Sequence, residues 1–501
     1  MSLAGKLFSV YSTRCIKTFD KAAGSPVDSQ LAVLRELLKT AKNTEWGRKY
    51  GYGDLPDPEE FRKRVPVMDY ETMAPEWHRA FEGDRNVTWP GHTRYFALSS
   101  GTTAGNKLLP VSGESIASNL RSGGYLISLM VRRGGPEKIS CGKFLYLGGP
   151  TALRKRNKCL YGDASGIISK HIPFYVRHRH LPDRKTAAII DWEEKTGKIV
   201  EKYARAKICA VSGCPSWVSL LFGKMQEKYG KPVGEIWPEL SFFVSYGMSF
   251  EPYRKTFESL IGRPVYYVDT YSSSEGGMTA IAGNAGEPMR LIVDNGVFFE
   301  FIPAGKTAGQ SPPRLHLGEV EEGVEYSLLL NTNSGIWAYP LGDVIRFESL
   351  SPPVVRFVGR TSTCLSAFGE HVTVEMLEKA VVSACEATSS AVRDYSVCPR
   401  FPATNHPVPA HRWVVEFEKR PEKPNKFMRV VDETIRNENE DYDTHRTNDF
   451  GMVPPVLCEV PRDAFYLWMQ SKGQLGAQHK VPRVICEEDF RKLTGQEAVT
   501  G

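Results

Sequence analysis

The sequence lacks long hydrophobic runs, paired cysteines and a strong excess of charge of either sign. No stretch of about 20 apolar residues is present, so no membrane-spanning helix is expected. The ten cysteines form no C-x-x-C pair, which argues against a zinc ribbon or a dithiol redox site. The 64 basic and 58 acidic residues are dispersed and leave a net charge of +6, so neither nucleic acid nor a membrane is expected as a partner.

Other absences narrow the class of protein further. No secretion signal, internal repeat or low-complexity tract is evident. Scattered cysteines without a secretion signal predict a cytoplasmic location, where thiols stay reduced. The oligomeric state is not indicated by the sequence.

The chain is large enough for more than one domain. Its 501 residues exceed the size of roughly 250–300 residues at which single cores usually divide. Helix-like segments alternate with strand-like runs, a pattern that favours an α/β architecture. The predicted helices begin at Ser25-Pro26 and span 187–205 and 215–228, and the predicted strands are 143–147, 240–244, 265–269, 296–301 and 326–331.

The pattern changes after a Pro-containing segment at 351–360. Beyond it, the sequence predicts helices at 372–385, 426–440 and 462–472 and strands at 394–398, 412–417 and 456–459. We therefore predict a large α/β domain over residues 1–358, with mixed sheets and helices. A small α+β domain over residues 359–501 is expected to follow it.

A loop rich in glycine and hydroxyl groups joins two strand-like runs near residue 100. Glycines allow successive backbone N–H groups to point at an anion, and a lysine adds positive charge, so the loop suits a phosphate chain. The glycine and lysine spacing differs from a Walker loop. The alternative is a polar hairpin without a ligand. The candidate phosphate-binding residues are Ser99, Ser100, Gly101, Thr102, Thr103 and Lys107.

Three later segments supply the other parts of a nucleotide site. After a predicted strand, Tyr271 offers a ring for a base, Ser272 and Ser274 offer hydroxyls, and Glu275 offers a ligand for Mg²⁺. Asp343 follows a glycine turn and suits a ribose diol. Alternatively, Tyr271 lies in the core, Glu275 is a surface acid and Asp343 caps a turn. Further candidates for nucleotide contact are Tyr246, Gly247 and Arg360.

Together these motifs resemble the acyl acid–amido synthetases, the auxin- and jasmonate-conjugating branch of the adenylate-forming superfamily. The likeness covers nearly the whole chain. It is carried by segments at 61–71, 81–84, 99–107, 271–275, 342–344 and 478–483. Plant members usually have arginines where this chain has Ala338 and Pro340. The segments at 359–360 and 368–370 look more like general adenylating enzymes and microbial relatives of the family.

The resemblance implies an enzyme that uses ATP and Mg²⁺ to activate a carboxylic acid as an acyl adenylate. It then implies transfer of the acyl group to the amine of an amino acid, which forms an amide and releases AMP. It also implies a mobile small domain that brings Lys480 to the nucleotide, with Lys480 and Glu275 as catalytic residues. An acyl-CoA ligase and a non-catalytic nucleotide-binding protein are the alternatives.

The acid-binding residues are less clear from the sequence. Trp217, Leu220 and Phe222 lie where the family builds part of its acyl pocket, and the alternative for all three is buried core. Tyr246 and Gly247 are expected to border the adenine and the acyl group.

Overall fold

The computed structural model describes most of the chain. The described residues are 3–55, 57–100, 106–140, 142–304, 313–360, 365, 370, 372–401, 409–447, 452–475 and 480–495.

Helices of the large domain surround its sheets. They are α1 (Leu3–Gly24), α2 (Pro26–Ala41), α3 (Glu45–Lys49), α4 (Pro58–Arg64), α5 (Tyr70–Glu82), α6 (Gly113–Gly134), α7 (Pro136–Ser140), α8 (Ala164–Lys170), α9 (Phe174–Arg177), α10 (Arg184–Ala187), α11 (Trp192–Tyr203), α12 (Pro215–Tyr229), α13 (Val233–Ile236) and α14 (Arg254–Ile261). Within the described part of the chain, no helix combines the length and apolar character needed to cross a membrane.

The strands of the large domain form two sheets. They are β1 (Tyr95–Ser100), β2 (Asn106–Val111), β3 (Lys143–Leu147), β4 (Arg154–Arg156), β5 (Cys159–Asp163), β6 (His180–Leu181), β7 (Ile208–Gly213), β8 (Phe242–Tyr246), β9 (Tyr266–Ser273), β10 (Gly277–Ile281), β11 (Met289–Leu291), β12 (Val297–Pro303), β13 (Glu325–Thr332), β14 (Ile336–Leu350) and β15 (Pro353–Arg360).

The larger sheet is mixed, with four parallel and six antiparallel strand pairs among its described strands. Its eleven described strands run in the order β12-β13-β14-β15-β11-β10-β9-β8-β7-β3-β6. The strands from β9 to β6 are parallel, and β7 reads as a buried apolar run because helices cover both of its faces. The remaining pairs are antiparallel. The predicted α/β class is confirmed, and most strand ends shift by a few residues.

Two turn assignments need correction. Gly342 does not form a turn that precedes Asp343. It has φ +80° and lies within β14, where the register with β13 shifts at a bulge. The segment Ser351–Pro352, which the sequence marks as part of a domain boundary, is the turn between β14 and β15 in the large sheet.

The small domain contains the described residues from 365 onward. Its helices and strands are α15 (Val374–Thr388), β16 (Ala391–Arg400), β17 (Ala410–Lys419), α16 (Pro424–Glu438), α17 (Glu440–Arg446), β18 (Val456–Val460), α18 (Ala464–Ser471) and α19 (Glu487–Thr494). The sheet order is β16-β17-β18. Its own core surrounds Trp413 and Phe427, both fully buried. The predicted α+β character is confirmed.

The two domains share a second core. Phe465 and Trp468 of α18 belong to the same buried cluster as Trp217 and Phe222 of α12. The ring of Tyr466 also lies 6.5 Å from that of Trp217 in an edge-on arrangement. Burial of aromatic surface at this contact favours the docked position of the small domain.

A buried polar network fixes the docking geometry. Arg483 donates from Nη1 to Asp394 Oδ1 (2.7 Å) and from Nη2 to the hydroxyl oxygen of Tyr253 (2.9 Å). That hydroxyl in turn donates to Asp394 Oδ1 (3.0 Å). Tyr253 belongs to the large domain, whereas the ion pair belongs to the small domain and is 6% exposed on both side chains. Buried charges are tolerated only when their hydrogen bonds are satisfied, so the pair favours this domain orientation.

We predict that Tyr253→Phe lowers the free energy of unfolding by about 1.5–3 kcal/mol, because it removes hydrogen bonds to two charged groups. Tyr267→Phe is the matched control. Tyr267 lies in the same core cluster, but its buried hydroxyl has no hydrogen-bond partner in the described part of the chain. Its removal should be neutral or stabilising in urea unfolding. Equal losses in the two variants would contradict the role given to the Tyr253 hydroxyl.

Candidate active site

One large cavity lies between the two domains at the carboxyl ends of the parallel strands. Its volume is about 2370 Å³. Open α/β sheets bind ligands at this edge, because the loops that follow the strands converge there. Every predicted site residue whose side chain the structure describes lines this cavity, namely Ser99, Lys107, Tyr246, Gly247, Tyr271, Ser272, Ser274, Glu275, Asp343 and Lys480.

The predicted phosphate loop joins an antiparallel strand pair. Ser99 of β1 is the register partner of Lys107 of β2, so both lie at the base of the hairpin. Gly101, Thr102 and Thr103 lie outside the described residues. The side chains of Ser100 and Arg360 are also outside them, although the Arg360 backbone pairs with Asp343.

Lys107 and Glu275 meet around Tyr339. Lys107 donates from Nζ to the Tyr339 hydroxyl (3.2 Å) and lies 5.4 Å from the ring centre of Tyr70. Burial raises the pKa of Tyr339, and the nearby charge of Glu275 raises it further. Lys107 and Glu275 therefore both act on one phenol at the wall of the cavity.

Asp343 and Tyr271 are joined directly. The Tyr271 hydroxyl donates to Asp343 Oδ2, and the Tyr271 ring centre lies 6.1 Å from that of Phe357. The Asp343 residue is only 4% exposed, yet it lines the cavity. The carboxylate is thus held in place by the side chain that the sequence assigns to the base.

Tyr246 lines the cavity at the end of β8. Its hydroxyl donates to the carbonyl of Leu147 (3.0 Å), and its ring centre lies 5.8 Å from that of Tyr146. Burial raises the pKa of both phenols, to about 12 for Tyr146. Tyr246 therefore presents its ring, and not a free hydroxyl, to a ligand.

Lys480 reaches the cavity beside Gly247, where the absence of a side chain leaves space for it. Gly247 has φ +89°, and a Cβ placed there would lie 2.9 Å from Lys480 Cε and 3.3 Å from Nζ. A side chain at this position would be strained and would also displace the lysine. The structure thus brings the predicted Lys480 and the predicted Gly247 into contact.

Sequence reasoning missed two carboxyl groups at the domain interface. Burial raises the pKa of Glu378, on α15, to about 7, and the charge of Asp269 adds to the effect. Burial also raises the pKa of Asp269 to about 6, and its Oδ2 accepts a hydrogen bond from Gly286 N (3.0 Å). Such groups exchange protons near neutral pH. No local motif marks them, because they come from different domains.

The three aromatic and aliphatic candidates for an acyl pocket do not line the cavity. Trp217 and Phe222 are buried in the core between α12 and the sheet, and Leu220 packs against that core. Their position in the family's pattern made them candidates, but α12 directs them into the core and not toward the cavity. The core alternative is the correct one for these residues.

Among the described residues, no three histidine, cysteine or acidic side chains come together to form a metal site. Mg²⁺ nevertheless fits the cavity, because this ion keeps several waters and needs one or two carboxylates beside substrate phosphates. Glu275 lines the cavity and acts electrostatically on Tyr339, the phenol to which Lys107 donates.

Family comparisons agree with the likeness drawn from the motifs. The sequence matches the GH3 family N-terminal domain over residues 15–196. It matches the GH3 family central domain over residues 290–360 and the GH3 family C-terminal domain over residues 375–489.

Relatives with assigned activities are similar over most of the chain. An indole-3-acetic acid-amido synthetase of Arabidopsis thaliana (GH3.4) is 23% identical, over 99% of this chain and 96% of that protein. A jasmonoyl–L-amino acid synthetase of Nicotiana attenuata (JAR4) is 23% identical, over 72% of this chain and 74% of its own length.

Solved structures share the fold. The GH3.15 acyl acid amido synthetase superposes with a TM-score of 0.77 and 18% identity, over 97% of this chain and 96% of that chain. A 2-hydroxyisobutyryl-CoA ligase in its postadenylation state gives a TM-score of 0.59 and 14% identity, over 95% and 91%. The fold is therefore that of adenylate-forming enzymes.

Proposed function

The chain belongs to the GH3 family, and we propose that it joins a carboxylic acid to the amine of an amino acid through an acyl adenylate. The protein is thus a ligase that forms a C–N bond, with ATP consumed and pyrophosphate and AMP released. One observation carries the proposal. Lys480 of the small domain and the polar residues at the strand ends of the large domain line the same cavity.

We assign the contacts with the nucleotide from the residues that line that cavity. We assign the phosphates to the hairpin of residues 99–107, with Lys107 as a cation, and to the hydroxyls of Ser272 and Ser274. We assign the ribose to Asp343, which Tyr271 orients and beside which the Arg360 backbone pairs. A buried carboxylate suits a diol, because it accepts two charge-assisted hydrogen bonds.

Glu275 is the proposed protein ligand for Mg²⁺. The ion would neutralise part of the charge on the phosphate oxygens when ATP is bound. The proposal is supported by the electrostatic effect of Glu275 on Tyr339, the phenol to which Lys107 donates.

In the first half-reaction, a carboxylate oxygen of the acid attacks the α-phosphorus of ATP. The bond from that phosphorus to the bridging oxygen breaks, and pyrophosphate leaves. Negative charge builds on the α-phosphate in the transition state, and the Lys480 ammonium beside Gly247 is the cation that the small domain supplies there.

In the second half-reaction, the neutral amine of the amino acid attacks the acyl carbon. The bond from that carbon to the adenylate oxygen breaks, AMP leaves, and the nitrogen loses a proton. An acyl-CoA ligase shares the first half-reaction, and the CoA ligase neighbour shows that the same fold serves thiol acceptors. The family favours the amine. A cytoplasmic location remains a prediction from the scattered cysteines.

The first prediction concerns the products. Exchange of labelled pyrophosphate into ATP should require both a carboxylic acid and Mg²⁺. With ATP, a reactive acid and a mixture of amino acids, mass spectrometry should detect an amide, whereas coenzyme A should give little thioester. Efficient thioester formation without any amide would favour the acyl-CoA ligase, and exchange that needs no acid would rule out both ligases.

The second prediction concerns Lys480. Gly247→Ala should slow acid-dependent pyrophosphate exchange by about 10²-fold, because it displaces one electrostatic donor. Gly91→Ala is the control, since Gly91 has a similar φ of +81° and open space around it. Both variants should lose about 1–2 kcal/mol of unfolding free energy from the positive φ. Equal exchange rates in the two variants would show that the Lys480 contact is irrelevant to adenylation.

A further inference from the structure

The cavity continues past Tyr246 as a trough between the central sheet and α6. Its floor is the row of small side chains on β7, Ala210 and Ser212, whose register partners on β3 are Phe144 and Tyr146. Neighbouring positions across a sheet share one face, so two rings flank the two small residues. Over the trough, α6 presents Gly124 to the cavity. The trough is open because the small residues of β7 lie opposite a glycine of α6.

The trough has a definite length. The trough reaches the level of Ala210, whose register partner Phe242 is fully buried, with its ring 2.4 Å from the place of a Cβ on Gly134 of α6. Tyr246 stands four residues further along the same strand, so the trough extends about 13 Å from the nucleotide end. Its walls are apolar, with Ile127 of α6 and Ile172 after α8 among the lining residues. A carboxylate attached to a flat ring system fits these dimensions.

His180 lies at the far end of the trough. It is the register partner of Phe144 on β6, and the two rings stack with centres 5.7 Å apart and an interplanar angle of 20°. Its Nδ1 lies 3.0 Å from the carbonyl oxygen of Val176. A carbonyl only accepts hydrogen bonds, so Nδ1 carries the hydrogen.

The other ring nitrogen is therefore an acceptor. Burial lowers the pKa of His180, and the positive charge of Arg179 lowers it further, so the imidazole is neutral at pH 7. In a neutral imidazole with hydrogen on Nδ1, Nε2 holds a lone pair. Nε2 has no hydrogen-bond partner among the residues that the structure describes, and His180 lines the cavity.

The neighbouring cation, Arg179, already donates hydrogen bonds to backbone carbonyls. Arg179 donates from Nε and Nη2 to the carbonyl of Gly142 (3.2 and 2.8 Å) and from Nη2 to that of Ile139. Three hydrogen bonds of Arg179 thus go to the backbone. The acceptor that the far end of the trough offers to a ligand is Nε2 of His180.

We propose that His180 Nε2 accepts a hydrogen bond from the distal end of the acid, so that the substrates are aromatic acids carrying a hydroxyl or N–H group opposite the carboxylate. This rests on the proposed function. The stack with Phe144 and the Nδ1 contact with Val176 fix the orientation of the imidazole, and a flat ring would pack against the small residues of β7. His180 is in this account a specificity-determining residue.

Matched pairs of acids test the proposal through acid-dependent pyrophosphate exchange. One series compares phenylalkanoic acids with their hydroxyphenyl isomers, and a second compares an indolyl acid with the naphthyl acid of the same chain length. For the best-placed donor, we expect kcat/KM to be about tenfold higher than for the acid without a donor, as one hydrogen bond provides. The two series distinguish hydroxyl from N–H donors.

Three variants complete the test. His180→Phe keeps a ring but removes the acceptor, so it should lose the preference while still using the acid that has no donor. His180→Gln restores an acceptor and should recover part of the preference. His171→Phe is the control, because His171 makes the same kind of Nδ1 contact, to the carbonyl of Ile167 (2.8 Å), but does not line the cavity.

The outcomes are distinguishable. If the wild type shows no preference in either series, or if His180→Phe keeps the wild-type preference, the role of His180 is wrong. If no acid supports exchange in the wild type, the proposed function itself fails. If His180→Phe loses all exchange activity, the role of His180 is judged from two other results. These are the preference of the wild type for acids with a donor and the partial recovery of that preference in His180→Gln.

Discussion

The architecture of the site depends on the buried contact of Arg483 with Asp394 and Tyr253. Removing a guanidinium and a carboxylate from water is costly, and the cost is offset only when their hydrogen bonds are satisfied. In this chain the Tyr253 hydroxyl, from the other domain, accepts a hydrogen bond from Arg483 and donates one to Asp394, so it bonds both members of the pair. Arg483 is only three positions from Lys480, so the anchor of the small domain is also the anchor of the lysine. Docking of the small domain therefore also brings the positive charge of Lys480 to the cavity.

The large domain makes room for Lys480 and for the trough through residues with a small side chain or none. Gly247 leaves the space that Lys480 occupies, and Ala210 and Ser212 leave the trough beneath α6. Close packing elsewhere in the sheet makes these gaps specific, because protein interiors leave few voids larger than a water molecule. Polar groups at the strand ends then line the wide end, and apolar side chains line the deep end.

The sequence predicts what is local and misses what is distant. The alternation of helices and strands, the hairpin at Ser99 and the carboxylates of Glu275 and Asp343 follow from short motifs, and the structure gathers them at one cavity. Helical periodicity could not tell whether Trp217 faces the core or the cavity, since both faces of the parallel sheet are covered. The pairing of Glu378 with groups of the other domain depends on docking, which no local pattern encodes.

The central claim is that one cavity holds an acyl adenylate, with the nucleotide at the strand ends and the acyl group in the trough. A crystal structure with an acylsulfamoyl adenosine, a stable analogue of the adenylate, tests it most directly. The account predicts the ribose hydroxyls at Asp343, the sulfamoyl group beside Lys480 and the acyl chain over Ala210 and Ser212. An analogue bound with its adenine in the trough, or bound outside this cavity, would contradict the claim.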